Sequence, residues 1–137
     1  MNVEMRRAIF LAAMLLLAGC GGVSRSDYVA RNEAIIRSLP VFPGAVKVRE
    51  VSTRHRSGYT TTVAYRVPRG TSDGSVLRFY ETRLGRSGWF GVTDLGTDFT
   101  KGRAFLVVNT AFLTPAQRQL GEQIYAVMVD YRRASGA

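Results

Sequence analysis

Hydrophobic residues follow three patterns along the chain, and the pattern changes at recognisable points. A continuous apolar run covers 8–18, directly after Arg6 and Arg7. Farther along, apolar residues recur every three or four positions in two segments, which is typical of amphipathic helices. In other segments they alternate with polar residues, which is typical of half-buried strands. The pattern therefore predicts a short apolar leader followed by a domain that contains both helices and strands.

Two segments have the helical periodicity. The first covers 27–39, begins at a Ser-Asp pair that can cap a helix, and ends before Pro40. The second covers 74–84 and follows a Thr-Ser-Asp capping sequence. The residues expected to face the core are Tyr28, Ile35, Ile36 and Leu39 in the first helix and Val76, Leu77, Tyr80 and Leu84 in the second, with Phe79 at the edge. The residues expected on the outer side of the first helix are Arg31, Asn32, Glu33 and Arg37.

The alternating segments 46–54 and 59–67 predict a β-hairpin around the turn Ser57-Gly58. A two-residue loop there gives one apolar face, made of Val46, Val48, Val63, Tyr65 and Val67. The same register places Arg49 opposite Arg66, and like charges directly opposite each other are unfavourable. A bulge or a slip of register is therefore the alternative.

Three more segments have strand character, and together with the hairpin they define the fold class. They are 89–95, which resumes at 99–100 after a turn, then 104–110 and 124–132. The order α-β-β-α-β-β-β predicts an α+β fold in which an antiparallel sheet of about five strands carries one or two helices on one face. Residues 27–137 are expected to form a single domain.

The segment 40–89 also carries a recurring combination of short motifs. Pro-Val-Phe-Pro-Gly-Ala at 40–45 leads into the hairpin, Val-Leu-Arg-Phe-Tyr at 76–80 lies on the second helix, and Gly-Trp follows at 88–89. This combination resembles a pattern in small secreted or lipid-anchored bacterial domains of uncharacterised function. The resemblance implies the same α+β fold, and it brings no catalytic residues with it.

The leader has the three parts of a secretory signal. Arg6 and Arg7 form its positive flank, 8–18 is the apolar core, and small residues precede Cys20. The apolar run is shorter than the roughly 20 residues that a membrane-spanning helix needs. Leu-Ala-Gly-Cys at 17–20 resembles the lipobox of bacterial lipoprotein precursors at every position. The alternative is a chance cysteine in an unprocessed helix.

The lipobox predicts the location of the protein and the fate of its only cysteine. Cleavage is expected between Gly19 and Cys20, which makes 1–19 a signal peptide that is removed. A diacylglyceryl group on Cys20 would hold the domain on the extracytoplasmic face of the cell membrane, and 20–26 would serve as a short tether. Lipidation consumes the thiol, so no disulfide, thiolate nucleophile or cysteine metal ligand is expected in the mature domain.

The charge of the chain is strongly positive. It carries 19 basic and 10 acidic residues, and since Arg6, Arg7 and Glu4 fall in the leader, 17 and 9 remain in the mature form. Three explanations compete: a compositional preference for arginine, attraction to the anionic leaflet that holds the anchor, and an acidic partner such as an anionic envelope polymer. Nucleic acid is an unfavoured partner because no recognised binding motif accompanies the charge.

The arginines of the hairpin are the main candidate site. Arg54, Arg56, Arg66 and Arg69 lie in or beside it, with Tyr59 among them, and are predicted to form an anion-binding patch that grips phosphate or carboxylate. The alternative is a solvated hairpin rim.

Other residues offer little chemistry. His55, the only histidine, has no carboxylate or nucleophile nearby in sequence and is expected to be an exposed loop residue. Asp94 and Asp98 are interpreted as turn residues because the loop lacks the oxygen spacing of a calcium site. Tyr80 and either Trp89 or Phe90 are expected in the core, with a ligand groove between helix and sheet as the alternative.

The sequence thus predicts a non-enzymatic, lipid-anchored domain with a binding or structural role at the bacterial cell envelope. No metal or cofactor is expected, because no phosphate-binding loop, zinc motif or nucleophile elbow is present. One alternative is an accessory subunit that docks a protein partner through its sheet edge or first helix. The other is a hydrolase, which would need polar groups from distant strands to converge in a cleft.

Overall fold

The computed structural model describes residues 24–93, 97–111 and 123–132. In these ranges the chain forms two helices and six strands, in the order α-β-β-α-β-β-β-β. The helices are α1 (Arg25–Ser38) and α2 (Asp73–Arg86). The strands are β1 (Val46–His55), β2 (Gly58–Arg66), β3 (Phe90–Gly91), β4 (Asp98–Lys101), β5 (Ala104–Asn109) and β6 (Ile124–Tyr131). The predicted α+β class is confirmed, with six strands rather than five because the segment that begins near residue 89 divides into β3 and β4.

The strands form one antiparallel sheet in the order β1-β2-β6-β5-β4-β3. Alternate residues of the central strands point to opposite faces, and one of these faces packs against both helices. The core between the layers contains Ile36, Val63, Tyr65, Val67, Val76, Tyr80, Leu84, Trp89, Phe99, Ala104, Leu106, Val108, Tyr125, Val127 and Val129. The predicted α2 stripe is confirmed, and Trp89 is buried whereas Phe90 is 71% exposed.

Helix α1 begins earlier than its sequence pattern predicts. Ser24 is the N-cap, and both its backbone N–H and its hydroxyl donate to the Asp27 carboxylate at 3.1 Å. An acidic side chain in the first turn also complements the helix dipole. The segment between Cys20 and the helix is therefore shorter than the predicted tether 20–26.

Asn32 was expected on the outer side of α1, and this prediction is wrong because its side chain is fully buried. Its amide nitrogen donates to the Tyr59 carbonyl at 2.8 Å, and its amide oxygen accepts from the Tyr131 N–H at 2.9 Å. The last β2–β6 pair on this side is Thr60 with Asp130, so these two backbone groups lie one step past the paired residues. The Asn32 amide connects them and joins α1 to both strands.

The β1–β2 hairpin differs from the predicted register in two ways. His55 pairs with Gly58, so the two-residue loop is Arg56-Ser57, one position earlier than predicted. The register also shifts between Lys47 and Arg49, which leaves Val48 as a bulge residue. Because a one-residue shift reverses the faces, Val46 pairs with Arg66 on the side away from the helices, contrary to the prediction. The earlier position of the loop places Arg49 opposite Ala64 and avoids the arginine pair.

Gly44 is required by the turn that leads into β1. Its φ is +75°, and a Cβ there would lie 2.9 Å from Cγ of Pro68.

We expect Gly44→Ala to lower the free energy of unfolding by about 2 kcal/mol, since left-handed backbone strain adds to a steric clash. Gly70 has φ +88° with nothing within 4 Å, so Gly70→Ala should cost only about 1 kcal/mol. Equal losses in urea-unfolding experiments would contradict the role of the Pro68 contact.

Three tyrosines form the centre of the core. The hydroxyls of Tyr80 and Tyr125 are 2.8 Å apart, and the Tyr125 ring stacks on Tyr65 with centroids 5.2 Å apart. The Phe42 N–H donates to the Tyr125 hydroxyl at 3.4 Å. Burial raises the pKa of Tyr80 far above its usual value, and burial also raises the pKa values of Tyr125 and Tyr65. The pair remains neutral in the core, where each hydroxyl can serve as the other's hydrogen-bond partner.

Candidate functional site

The four arginines predicted to form one anion-binding patch lie in two separate pairs. Arg54 and Arg56 lie at the turn end of the hairpin, whereas Arg66 and Arg69 lie at its other end. Strand β2 separates the two ends by about 26 Å at the usual rise per residue. Arg54 also faces the helix side of the sheet, opposite Tyr59, while Arg66 faces the other side. The structure therefore does not bring these four guanidinium groups together.

Arg54 and Arg56 instead belong to a larger group of cations from distant parts of the sequence. The hairpin turn, the start of α1, the end of β6, the β4–β5 turn and the end of α2 all lie at one end of the molecule. We call this region the basic end. Among the described residues its cations are Arg25, Arg31, Arg54, Arg56, Arg86, Lys101, Arg103 and Arg132, and all eight are exposed.

The acidic residues are distributed differently. Only Asp27 and Asp130 accompany the eight cations among the described residues of the basic end, and both have partners. Asp27 is bonded to the cap residue Ser24, and Asp130 lies 3.7 Å from Nε of Arg132. The other described residues hold seven basic and five acidic side chains, so their charges nearly balance. Among the described residues, the positive charge is therefore concentrated at one end.

Aromatic rings hold several of these guanidinium groups at the surface. The Arg31 guanidinium lies 4.8 Å from the Tyr131 ring centre and donates to the Tyr131 hydroxyl at 2.8 Å. Arg132 lies 4.7 Å from the centre of the Phe105 ring, and Arg25 lies 5.8 Å from that of Tyr59. These cation–π contacts restrict the side chains without neutralising their charge, so binding an anion would cost less ordering entropy.

His55 is not the isolated loop residue that the sequence predicts. It is the last residue of β1, is partly buried, and its Nε2 lies 3.4 Å from Oδ2 of Asp130. Its Nδ1 accepts from the Ser57 N–H and contacts the Ser57 hydroxyl, both at 3.3 Å. The three side chains include the residue types of a hydrolytic triad. However, Nδ1 has one lone pair and the Ser57 backbone already occupies it, which favours a role in holding the turn.

A groove with a volume of about 540 Å³ separates the C-terminal half of α1 from β1. Its floor is apolar and includes Ile36, Leu39 and Tyr65. Its rims carry two ion pairs, Lys47 with Glu50 at 2.8 Å and Arg37 with Glu33 at 3.8 Å. The hydrogen bond to Glu50 raises the pKa of Lys47, so Lys47 keeps its charge in neutral solution. Since the rim charges are paired with each other, the groove offers an apolar surface rather than an ion site.

The remaining predicted site residues are placed only in part. Cys20, Gly19 and Asp94 lie outside the described residues. Asp98 is half-buried on β4 and pairs with Val107. Within the described ranges, no three His, Cys, Asp or Glu side chains cluster in a way that could hold a metal ion. In the same ranges, neither helix has the length and apolar character needed to cross a membrane.

Sequence reasoning missed most of the basic end because its cations come from five separate parts of the chain. A signal for some of them was present. Arg56 lies beside the predicted hairpin turn, Lys101 and Arg103 lie between the predicted strand segments 99–100 and 104–110, and Arg132 ends the last predicted strand. The pairing of strands decides which turns share an end, and the sequence pattern left that open. No protein-family model, curated protein sequence or solved structure gives a significant match to this chain.

Proposed function

We propose that this chain is a lipid-anchored domain on the extracytoplasmic face of a bacterial cell membrane, where it serves as a non-catalytic binding module. The observation that carries the proposal is the lipobox at 17–20, which follows a positive flank and an apolar core of signal-peptide length. Helix α1 begins at Arg25, after four intervening residues. Such an arrangement suits a folded domain held close to its anchor.

The distribution of polar groups supports binding rather than catalysis. Eight exposed cations of the described residues spread over the basic end, and the groove beside α1 has charges that neutralise each other in pairs. His55, which contacts Asp130 through Nε2, accepts the Ser57 N–H of the hairpin turn at Nδ1. A broad charged surface suits a large anionic partner, whereas acid–base catalysis needs reactive groups converging on one substrate atom.

A second candidate is an accessory subunit of an envelope protein complex. The observation that favours it is β1, a ten-residue strand at the edge of the sheet whose side chains are mostly exposed. Such an edge can add a strand from a partner. The bulge at Val48 and the charged residues along β1 count against this use, because both features oppose edge pairing.

The anchor is tested by replacing Cys20 with serine in the full-length chain expressed in a bacterial host. We expect the wild-type protein to incorporate a labelled fatty acid. Mass spectrometry should show that residues 1–19 have been removed from it. The Cys20→Ser protein should incorporate none and keep its leader, because serine supplies no thiol for alkylation. Gly21→Ala serves as the matched control and should behave as wild type.

Two outcomes would change these conclusions. Equal absence of label from wild type and Cys20→Ser would contradict lipid anchoring. If the labelled wild-type protein is purified from detergent-solubilised membranes as a stoichiometric complex with another protein, the accessory-subunit function is favoured over the binding module.

A further inference from the structure

We propose that the basic end binds the anionic phospholipid headgroups of the leaflet that holds the anchor, so that the hairpin turn faces the membrane and the start of β1 faces away from it. The inference rests on the proposed lipid anchor, and it adds a partner, a binding surface and an orientation. It does not depend on a ligand pocket.

The first step is the position of the tether. Four peptide units separate Cys20 from the cap residue Ser24, and they reach at most about 14 Å when fully extended. Helix α1 begins at the basic end, since Tyr28 packs against Tyr59 near the hairpin turn and Asn32 bonds the start of β2 and the end of β6. Lipidation of Cys20 would therefore bring this end of the domain, rather than the other, next to the headgroups.

The second step is the agreement between the tether and the charge. Fourteen residues of α1 extend about 21 Å away from the tether. Electrostatic attraction to the membrane fades over a Debye length of about 8 Å at physiological salt. Only cations near the tethered end lie close enough to the membrane to be attracted by its surface potential. Eight of the fifteen described cations lie at that end.

The third step concerns strength and chemistry. A basic residue near an anionic surface contributes about 1 kcal/mol, so even three or four simultaneous contacts would fix an orientation for a domain that is already tethered. Guanidinium groups bind phosphate in a bidentate manner, and seven of the eight cations are arginines. Tyr59 and Tyr131, which lie under Arg25 and Arg31, are of the residue type enriched at membrane interfaces.

The final step distinguishes a membrane from a compact anion. The cations extend from the β1–β2 turn to β4 and the end of α2, across a sheet whose six strands span about 24 Å. They do not converge on one point, as the ligands of a single phosphate would. A spread of cations at one end of the domain matches a plane of many headgroups.

The test uses the mature lipidated protein in vesicles, with a fluorophore at either end of the domain. Because lipidation consumes Cys20, an added cysteine gives a single labelling site. Ser57→Cys marks the hairpin turn, and Val41→Cys marks the exposed loop at the opposite end. Energy transfer to a headgroup-labelled lipid is measured in vesicles of phosphatidylcholine mixed with phosphatidylglycerol, and in phosphatidylcholine alone.

In the anionic vesicles we expect at least about two-fold more transfer from the Ser57 probe than from the Val41 probe, because the ends differ in height by about the 21 Å length of α1. The difference should shrink in pure phosphatidylcholine and in about 0.5 M NaCl, where the Debye length falls to about 4 Å. Arg54→Glu with Arg56→Glu should also reduce it. The matched control is Arg69→Glu with Arg78→Glu, which makes the same change in net charge outside the basic end. This control should retain the difference in transfer between the two probes.

Equal transfer from both probes in anionic vesicles would overturn the inference, as would equal losses in the two charge-reversed proteins. The salt and lipid comparisons use the two probe proteins without charge reversal, so they decide the question even if a charge-reversed variant misfolds. If the mature protein does not float with vesicles of either composition, the lipid anchor itself fails. If it floats without a preferred orientation, the anchor stands and only this inference fails.

Discussion

Replacing Asn32 with alanine is expected to lower the free energy of unfolding by about 3 kcal/mol, a large part of the roughly 5–15 kcal/mol that stabilises a typical domain. The side chain is fully buried and bonds the Tyr59 carbonyl and the Tyr131 N–H. Alanine would leave both backbone groups without these partners, and each unsatisfied buried group costs about 1–3 kcal/mol. The loss should appear as a lower midpoint in urea-induced unfolding.

The neighbouring residue supplies the control for this prediction. Glu33 is partly exposed, and its contact with Arg37 is a solvent-exposed ion pair at 3.8 Å. Glu33→Ala should therefore change stability by about 0.5 kcal/mol or less. If the two alanine variants unfold at the same urea concentration, the amide of Asn32 does not join α1 to the sheet in the way described.

The second large effect is expected at alkaline pH. Tyrosine in the unfolded chain loses its proton near pH 10, whereas burial raises the pKa values of Tyr80 and Tyr125 in the folded protein. The ionisation of these two groups therefore leaves the free energy of unfolding unaffected below pH 10. The free energy of unfolding decreases as the pH rises above 10, because the unfolded state then releases protons that the folded state retains. Each buried tyrosine should cost about 1.4 kcal/mol per pH unit in this range.

Stability measured by urea unfolding between pH 9 and pH 11.5 tests this expectation. Tyr80→Phe should reduce the slope above pH 10 by about one proton, because it removes one of the two buried hydroxyls. Tyr131→Phe is the control, since Tyr131 is only partly buried and its hydroxyl contacts the exposed Arg31. An unchanged slope in Tyr80→Phe, or equal slopes above and below pH 10, would contradict the role of burial.

The two helices illustrate what local pattern can predict. Val76, Tyr80 and Leu84 recur at helical spacing and are buried as expected, because an amphipathic helix has one way to hide its apolar stripe. The same reasoning failed at Asn32, where a polar residue lies on the buried side of α1. Helical periodicity alone places every polar side chain on the solvent-facing side of the helix. It contains no information about the strand ends that the Asn32 amide bonds.

The hairpin shows a different limit. Its two strands and its two-residue loop were predicted, but the loop lies one residue earlier and the bulge at Val48 reverses the face of Val46. Several registers bury similar apolar area in an isolated hairpin, so local pattern does not choose between them. The pairing of β2 with β6, which aligns Val63 with Val127, restricts the choice in the folded domain.

The sequence by itself determined the apolar leader with its lipobox-like end, the α+β class, the two core-facing helix stripes and the excess of arginine. These properties depend on neighbouring residues or on composition alone. Only the tertiary structure decided that Arg54 and Arg56 are separated from Arg66 and Arg69 and lie at the same end as Arg25, Arg103 and Arg132. The physical reason is that strand order and direction fix which chain ends and turns meet, and these depend on contacts between residues far apart in sequence.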